Sequence, residues 1–129
     1  MYPLKILAAL ALVLSILIAC NGSAPVSLSE KDAGKSMELK QGDILIITLE
    51  GNPTTGYTWM MQPVDHPLLE QVGEPQVTPA SDLLGAPGVM ALRFKAVQPG
   101  QANLKLVYAR PWEADTPPEK TFEVSLTVR

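Results

Sequence analysis

The chain holds a single cysteine, Cys20, and a single histidine, His66. One cysteine cannot close an intramolecular disulfide. One histidine among scattered carboxylates offers neither the spacing of a metal site nor the neighbours of a nucleophile, base and orienter. No enzyme, metal site or cofactor is expected. His66 stands in Asp65-His66-Pro67, a turn sequence whose side chain belongs in solvent. Basic runs are also missing: 10 Lys and Arg residues are dispersed among 13 Asp and Glu residues, which leaves no stripe for nucleic acid or anionic lipid. Nor is there an apolar run long enough to span a bilayer, because Ile6 to Ala19 gives about 14 apolar residues where roughly 20 are needed.

What that short apolar stretch does carry is the grammar of export. Lys5 supplies a positive start, only Ser15 interrupts the apolar region, and Leu17-Ile18-Ala19-Cys20 closes it as a lipobox-like sequence. Residues 1–19 thus read as a lipoprotein signal peptide and Cys20 as the lipid-modified first residue of the mature chain. Lipidation would also explain a lone cysteine in an oxidising compartment. Asn21 is not the aspartate associated with inner-membrane retention in well-studied diderms, so the expected location is the outer membrane of a bacterial envelope, with membrane contact through the lipid alone. Residues 20–34 form the lipidated cysteine and a small-residue tether, with an edge strand near Val26 to Leu28. Residues 35–129 suffice for one domain with one core.

Within that domain the apolar residues recur with the period of strands. Ile44 to Leu49 is a β-branched apolar run suited to a central strand. Met90, Leu92, Phe94 and Ala96 alternate with polar or small neighbours, as do Leu104, Leu106 and Tyr108, and Phe122, Val124, Leu126 and Val128. Strands at short intervals with Gly and Pro between them predict an all-β, Ig-like antiparallel β-sandwich. Each strand carries the chain to the other end of such a sandwich. Loops at 51–56, at 79–88 and from Arg110 onward are separated by strand, turn and strand, so all three are predicted at one end.

The first of these loops, Gly51-Asn52-Pro53-Thr54-Thr55-Gly56-Tyr57-Thr58-Trp59, is stiff and uncharged. Pro53 fixes its own φ and restricts Asn52, while Gly56 can take the positive φ that turns the chain into the next strand. Asn52, Thr54 and Thr55 supply hydrogen-bonding groups with no ion to desolvate. The glycines have the spacing of a phosphate-binding loop, but Tyr57-Thr58 replaces the required Lys-Ser/Thr and a strand follows in place of a helix. Trp59, at the start of that strand, is expected in the core. Trp112 lies between Pro111 and the acidic, proline-rich run Glu113 to Pro118, where an exposed rigid ring suits an interface anchor. Arg110 either pairs with a neighbouring carboxylate or reaches a partner.

The Asn52-Pro53-Thr54-Thr55-Gly56-Tyr57 loop and Arg110-Pro111-Trp112 together resemble two motifs of the chagasin family, protein inhibitors of papain-like cysteine peptidases. A third family element, Gly-x-Gly-Gly, is similar to Gly85-Ala86-Pro87-Gly88, preceded by Leu83-Leu84, although Pro87 departs from the pattern and removes one N–H donor. The resemblance covers about residues 34–129. It implies an Ig-like fold and a monomer whose three loops occlude a peptidase cleft reversibly and competitively. Thr54 and Thr55 would sit nearest the catalytic cysteine, Trp112 would stack on an aromatic beside it, and residues 85–88 would touch the other flank through backbone. Leu83 and Leu84 are either rim contacts or the loop's own packing. The alternative is a non-inhibitory Ig-like lipoprotein that binds an envelope component.

Overall fold

The computed structural model describes residues 24–79, 87–113 and 115–129. Among these residues nine strands follow in chain order: β1 Val26–Ser29, β2 Ser36–Leu39, β3 Ile44–Gly51, β4 Thr58–Met61, β5 Leu69–Gln71, β6 Gln76–Pro79, β7 Gly88–Ala96, β8 Gly100–Ala109 and β9 Lys120–Val128. One sheet runs β1-β3-β7-β5 with β6 also on β7, and the other runs β2-β9-β8-β4. The alternation in the sequence becomes the core directly. Leu45, Ile47, Leu49, Leu92, Phe94, Leu106 and Val124 are essentially inaccessible between the sheets, and Trp59 joins them at 3% exposure.

Register fixes the two ends of the sandwich. Gly51 pairs with Gly88 and Thr58 with Ala109, so the connections after β3, before β7 and after β8 leave from one end. That is the arrangement expected from the sequence, and this end is termed the loop pole. The opposite pole holds the turns at 40–43, 62–68 and 97–99. It is closed by backbone bonds from Gly42 N to Ala96 O, Gln41 N to Arg129 O and Val97 N to Leu68 O, at 2.7, 2.9 and 2.9 Å.

Three details depart from the sequence reading. The sheets are not wholly antiparallel, since β1 lies parallel to β3 and β2 parallel to β9. The chain enters at the closed pole alongside β3, turns over at Glu30–Asp32, and descends in the other sheet beside β9, so both edge pairs must be parallel. The strand expected within 68–78 is broken into β5 and β6, both on β7, by Val72 to Pro75, where Gly73 has φ +73° and proline interrupts pairing. Gly88 belongs to β7 and is buried; it is not part of a loop.

Candidate functional site

Residues Pro53–Thr55 form a single 3-10 turn at the loop pole, and its shape is dictated by Asn52. The Asn52 side-chain oxygen accepts from Thr54 N at 3.2 Å and from Thr54 Oγ1 at 2.6 Å. Its backbone oxygen accepts from Thr55 Oγ1 at 2.7 Å and from Thr55 N at 3.3 Å. Its N–H donates to the Tyr108 hydroxyl at 2.8 Å, which ties the loop to a core residue of β8. An Asx-type turn of this kind sets the backbone before any partner arrives. Thr54 and Thr55 remain exposed at its tip.

Arg110 makes the local pairing that the sequence offered as one of two roles. Its Nη1 pairs with Glu113 Oε1 at 3.1 Å and its Nε donates to Thr55 O at 3.0 Å, so it braces one loop against the other. The Glu113 hydrogen bond raises the guanidinium pKa above its ordinary value, and the group stays charged. It also lies 4.5 Å above the Tyr57 ring. Tyr57 stacks on Tyr108 at 5.3 Å, and Tyr108 meets Trp59 at 5.1 Å. Trp59 Nε1 donates to Glu50 O at 2.9 Å, satisfying the indole in the core. A continuous column therefore runs from a core tryptophan to the exposed loop tip. Tyr57, placed in the loop by the sequence, is half-buried in this column.

Trp112 is 69% exposed, yet its position is defined. Gly56 has φ +83°, and a Cβ placed there would stand 2.5 Å from the Trp112 ring. The glycine thus answers two needs: it takes a backbone conformation that L-residues resist, and it clears the seat of the indole. Pro111 is exposed beside it. A shallow recess between the loops is lined by Asn52, Tyr57, Pro87, Arg110, Glu119 and Lys120.

Residues 38–126 match the family described as Chagasin family peptidase inhibitor I42. The chain belongs to the chagasin family. It is 30% identical to Amoebiasin-2 of Entamoeba histolytica over 79% of its own length and 84% of the relative's. It is 28% identical to Chagasin of Trypanosoma cruzi over 72% of this chain and 88% of that one. The crystal structure of a cysteine protease inhibitor from Entamoeba histolytica superposes with a TM-score of 0.66 at 27% identity, covering 81% of this chain and 95% of that structure.

Against the chagasin-family pattern, the described residues bring Asn52 to Tyr57 together with Arg110, Pro111, Trp112 and Pro87 at one pole. Leu83, Leu84, Gly85 and Ala86, expected in the second flank, lie outside the described residues, as does Cys20. Gly88 was assigned to that flank for close approach to a partner. Its actual constraint is internal, because a Cβ there would collide with the Thr78 carbonyl oxygen of β6. One residue that organises the site is not singled out by the sequence: Tyr108 reads only as a strand residue facing inward, although a buried tyrosine at a strand end demands a partner for its hydroxyl. Glu113, three residues beyond Arg110, is the neighbouring carboxylate that the sequence offers to Arg110.

Proposed function

We propose that the loop pole acts as a wedge that enters the active-site cleft of a papain-like cysteine peptidase and blocks it reversibly and competitively. The chain's membership of a family of peptidase inhibitors gives the class of activity, and it disfavours a non-inhibitory envelope binder. The observation that carries the finer reading is the Arg110 Nε bond to Thr55 O beneath an exposed Trp112.

A cysteine peptidase attacks a carbonyl presented by an extended substrate backbone. Here residues 53–55 are turned, and the carbonyls of Asn52 and Thr55 are already occupied by Thr55 and Arg110. Extending the segment into a cleavable conformation would break these bonds together with the Asn52 N bond to Tyr108. The nucleophile would meet a turned backbone whose Asn52 and Thr55 carbonyls are already engaged. Because the loop enters already ordered and uncharged, little conformational entropy and no ion desolvation oppose binding. Trp112 would supply a rigid apolar anchor beside the nucleophile. The second flank would be completed by residues 85–87, ahead of Gly88 in β7.

Titration of the purified protein against papain tests this reading. Inhibition should be stoichiometric at high concentration, rise in apparent constant linearly with substrate, reverse on dilution and leave the inhibitor's mass unchanged. Undiminished peptidase activity, or inhibition that decays as the chain is cut, would refute it.

The same proposal places the protein in a bacterial envelope, held by lipid on Cys20, with Asn21 permitting outer-membrane sorting. Cys20→Ser should shift the protein from the membrane to the soluble fraction. Retention of the substituted protein as firmly as the parent would overturn the lipid anchor.

A further inference from the structure

We infer that the sandwich stands on its membrane by the closed pole, so that the wedge faces water and meets its peptidase from the side away from the bilayer. This rests on the lipid anchor and the inhibitory wedge proposed above, and it adds the direction from which the partner must come.

Topology carries the inference. The strand nearest the anchor, β1, is parallel to β3, with Val26 opposite Leu45 and Ser29 opposite Thr48. Since β3 runs from the closed pole at Ile44 to the loop pole at Gly51, the chain arriving from Cys20 joins the fold at the closed pole. The stretch from Cys20 to Val26, fully extended, reaches at most about 20 Å. Along β3 the loop pole lies about 23 Å farther on. A tether this short, fixed at one pole, cannot bring the other pole to the bilayer unless the domain lies down along it.

Charge opposes that posture. The wedge loops and the strand ends that carry them hold Glu50, Glu113, Asp115 and Glu119 against Arg110 and Lys120, so an anionic leaflet repels this pole. The closed pole presents Lys40, Lys95 and Arg129 along with Asp43, Asp65, Glu70 opposite Lys95 and Glu38 paired with Arg129, so its charges are close to balanced. The bonds closing that pole also leave little loose backbone to obstruct a nearby surface.

The test uses the lipidated full chain reconstituted in vesicles of phosphatidylethanolamine and phosphatidylglycerol. A single cysteine is introduced at Asp65→Cys in the closed pole or at Thr116→Cys beside the wedge, and energy transfer to a headgroup acceptor is measured. Transfer should be clearly stronger from position 65. Equal transfer, or stronger transfer from position 116, overturns the orientation. In parallel, the association rate with papain is compared between vesicles and detergent micelles and should agree within about twofold. A rate tenfold or more slower on vesicles, restored by a Gly-Ser insertion after Gly22, also overturns it. Absence of inhibition in micelles would reject the inhibitory wedge while the transfer measurement still decides the orientation. Failure of the Cys20-bearing chain to associate with vesicles would reject the anchor and the orientation with it.

Discussion

Gly56→Ala tests whether Trp112 is seated by the neighbouring loop or merely exposed beside it. Gly56 has φ +83°, and an added Cβ would stand 2.5 Å from one Trp112 ring carbon and 3.2 Å from the next. Carbon atoms sit best at about 3.5 to 4.0 Å, so the ring must retreat by about 1 Å or the turn must open. Two separable costs follow. The left-handed backbone costs an alanine about 1 to 2 kcal/mol, which lowers Tm by roughly 5 to 15 °C in a domain of about 100 residues. Displacement of the anchor should weaken inhibition at least about tenfold, or ~1.4 kcal/mol. Trp112→Ala alone should leave Tm unchanged, because the ring is 69% exposed, and should weaken inhibition about 30- to 1,000-fold if it is a hot spot, roughly 2 to 4 kcal/mol. The double variant decides the matter. With the ring gone, Gly56→Ala should cost less than about threefold in inhibition while its Tm penalty persists. Inhibition constants and thermal unfolding measured on all four proteins complete the cycle. If the two losses in affinity add within about 0.5 kcal/mol, the bound Trp112 does not rest on Gly56 and the shared seat is wrong.

Three further outcomes follow from the same geometry. Thr55→Glu places a carboxylate at the exposed tip, where it should fold normally but lose inhibition about 100-fold or more, since burying an unpaired charge in the cleft costs several kcal/mol; an inhibition constant within about threefold of the parent's would place this loop outside the contact. Arg110→Ala frees the Thr55 carbonyl, and prolonged incubation with papain should produce cleavage within residues 52–56 by mass spectrometry while the parent stays intact. Arg110→Lys should not fully protect it, because an ammonium lacks the fork that reaches both Thr55 and Glu113, and an intact Arg110→Ala chain would show that the brace does not resist cleavage. Asp32 has its pKa lowered by the Ser29 N–H first and by Lys35 next. Its charged form therefore stabilises the fold above the ordinary carboxylate range, and that contribution disappears as pH falls through the folded value; Asp32→Asn should be less stable than the parent at pH 7, the gap should close as pH falls through and below the folded value, and a gap that stays constant with pH would exclude the linkage.

The sandwich was legible because a period of two assigns faces without knowledge of partners. Leu92, Phe94, Leu106 and Val124 are buried where the alternation places them. Loop position was legible too, because it follows from counting strand reversals. Pairing direction was not. The sequence near Val26 marks a strand, but whether it runs with β3 or against it depends on the pole at which the chain enters, a property of the whole path. The break at Val72 to Pro75 escaped for a related reason, since both halves pair with β7 and read as one extended stretch. Within the site, the residue types pointed to a rigid loop and an exposed anchor. The brace between them did not emerge, because Arg110 and Thr55 lie 55 residues apart and only folding reveals which carbonyl the guanidinium meets.

That brace bears on how the proposed wedge would present a peptidase with peptide and not be digested. Rigidity limited to the loop would be fragile, as a turn held by its own threonines could open at modest cost. Here the turn is fastened at both ends to the sandwich: Asn52 N to the Tyr108 hydroxyl, and Thr55 O to Arg110. Tyr108 is itself locked between Tyr57 and Trp59, and Trp59 is held by Glu50 O. Opening the turn far enough to offer a carbonyl would therefore disturb the aromatic column, and with it the end of the core. In the proposed wedge, resistance to cleavage would thus draw on the stability of the domain as well as on local hydrogen bonds. The glycines complete this division of labour, with Gly56 admitting the anchor ring and Gly51 leaving room for Met90, whose sulfur would stand 2.6 Å from any Cβ there. Glycine at these two positions serves packing and adds no freedom to the loop.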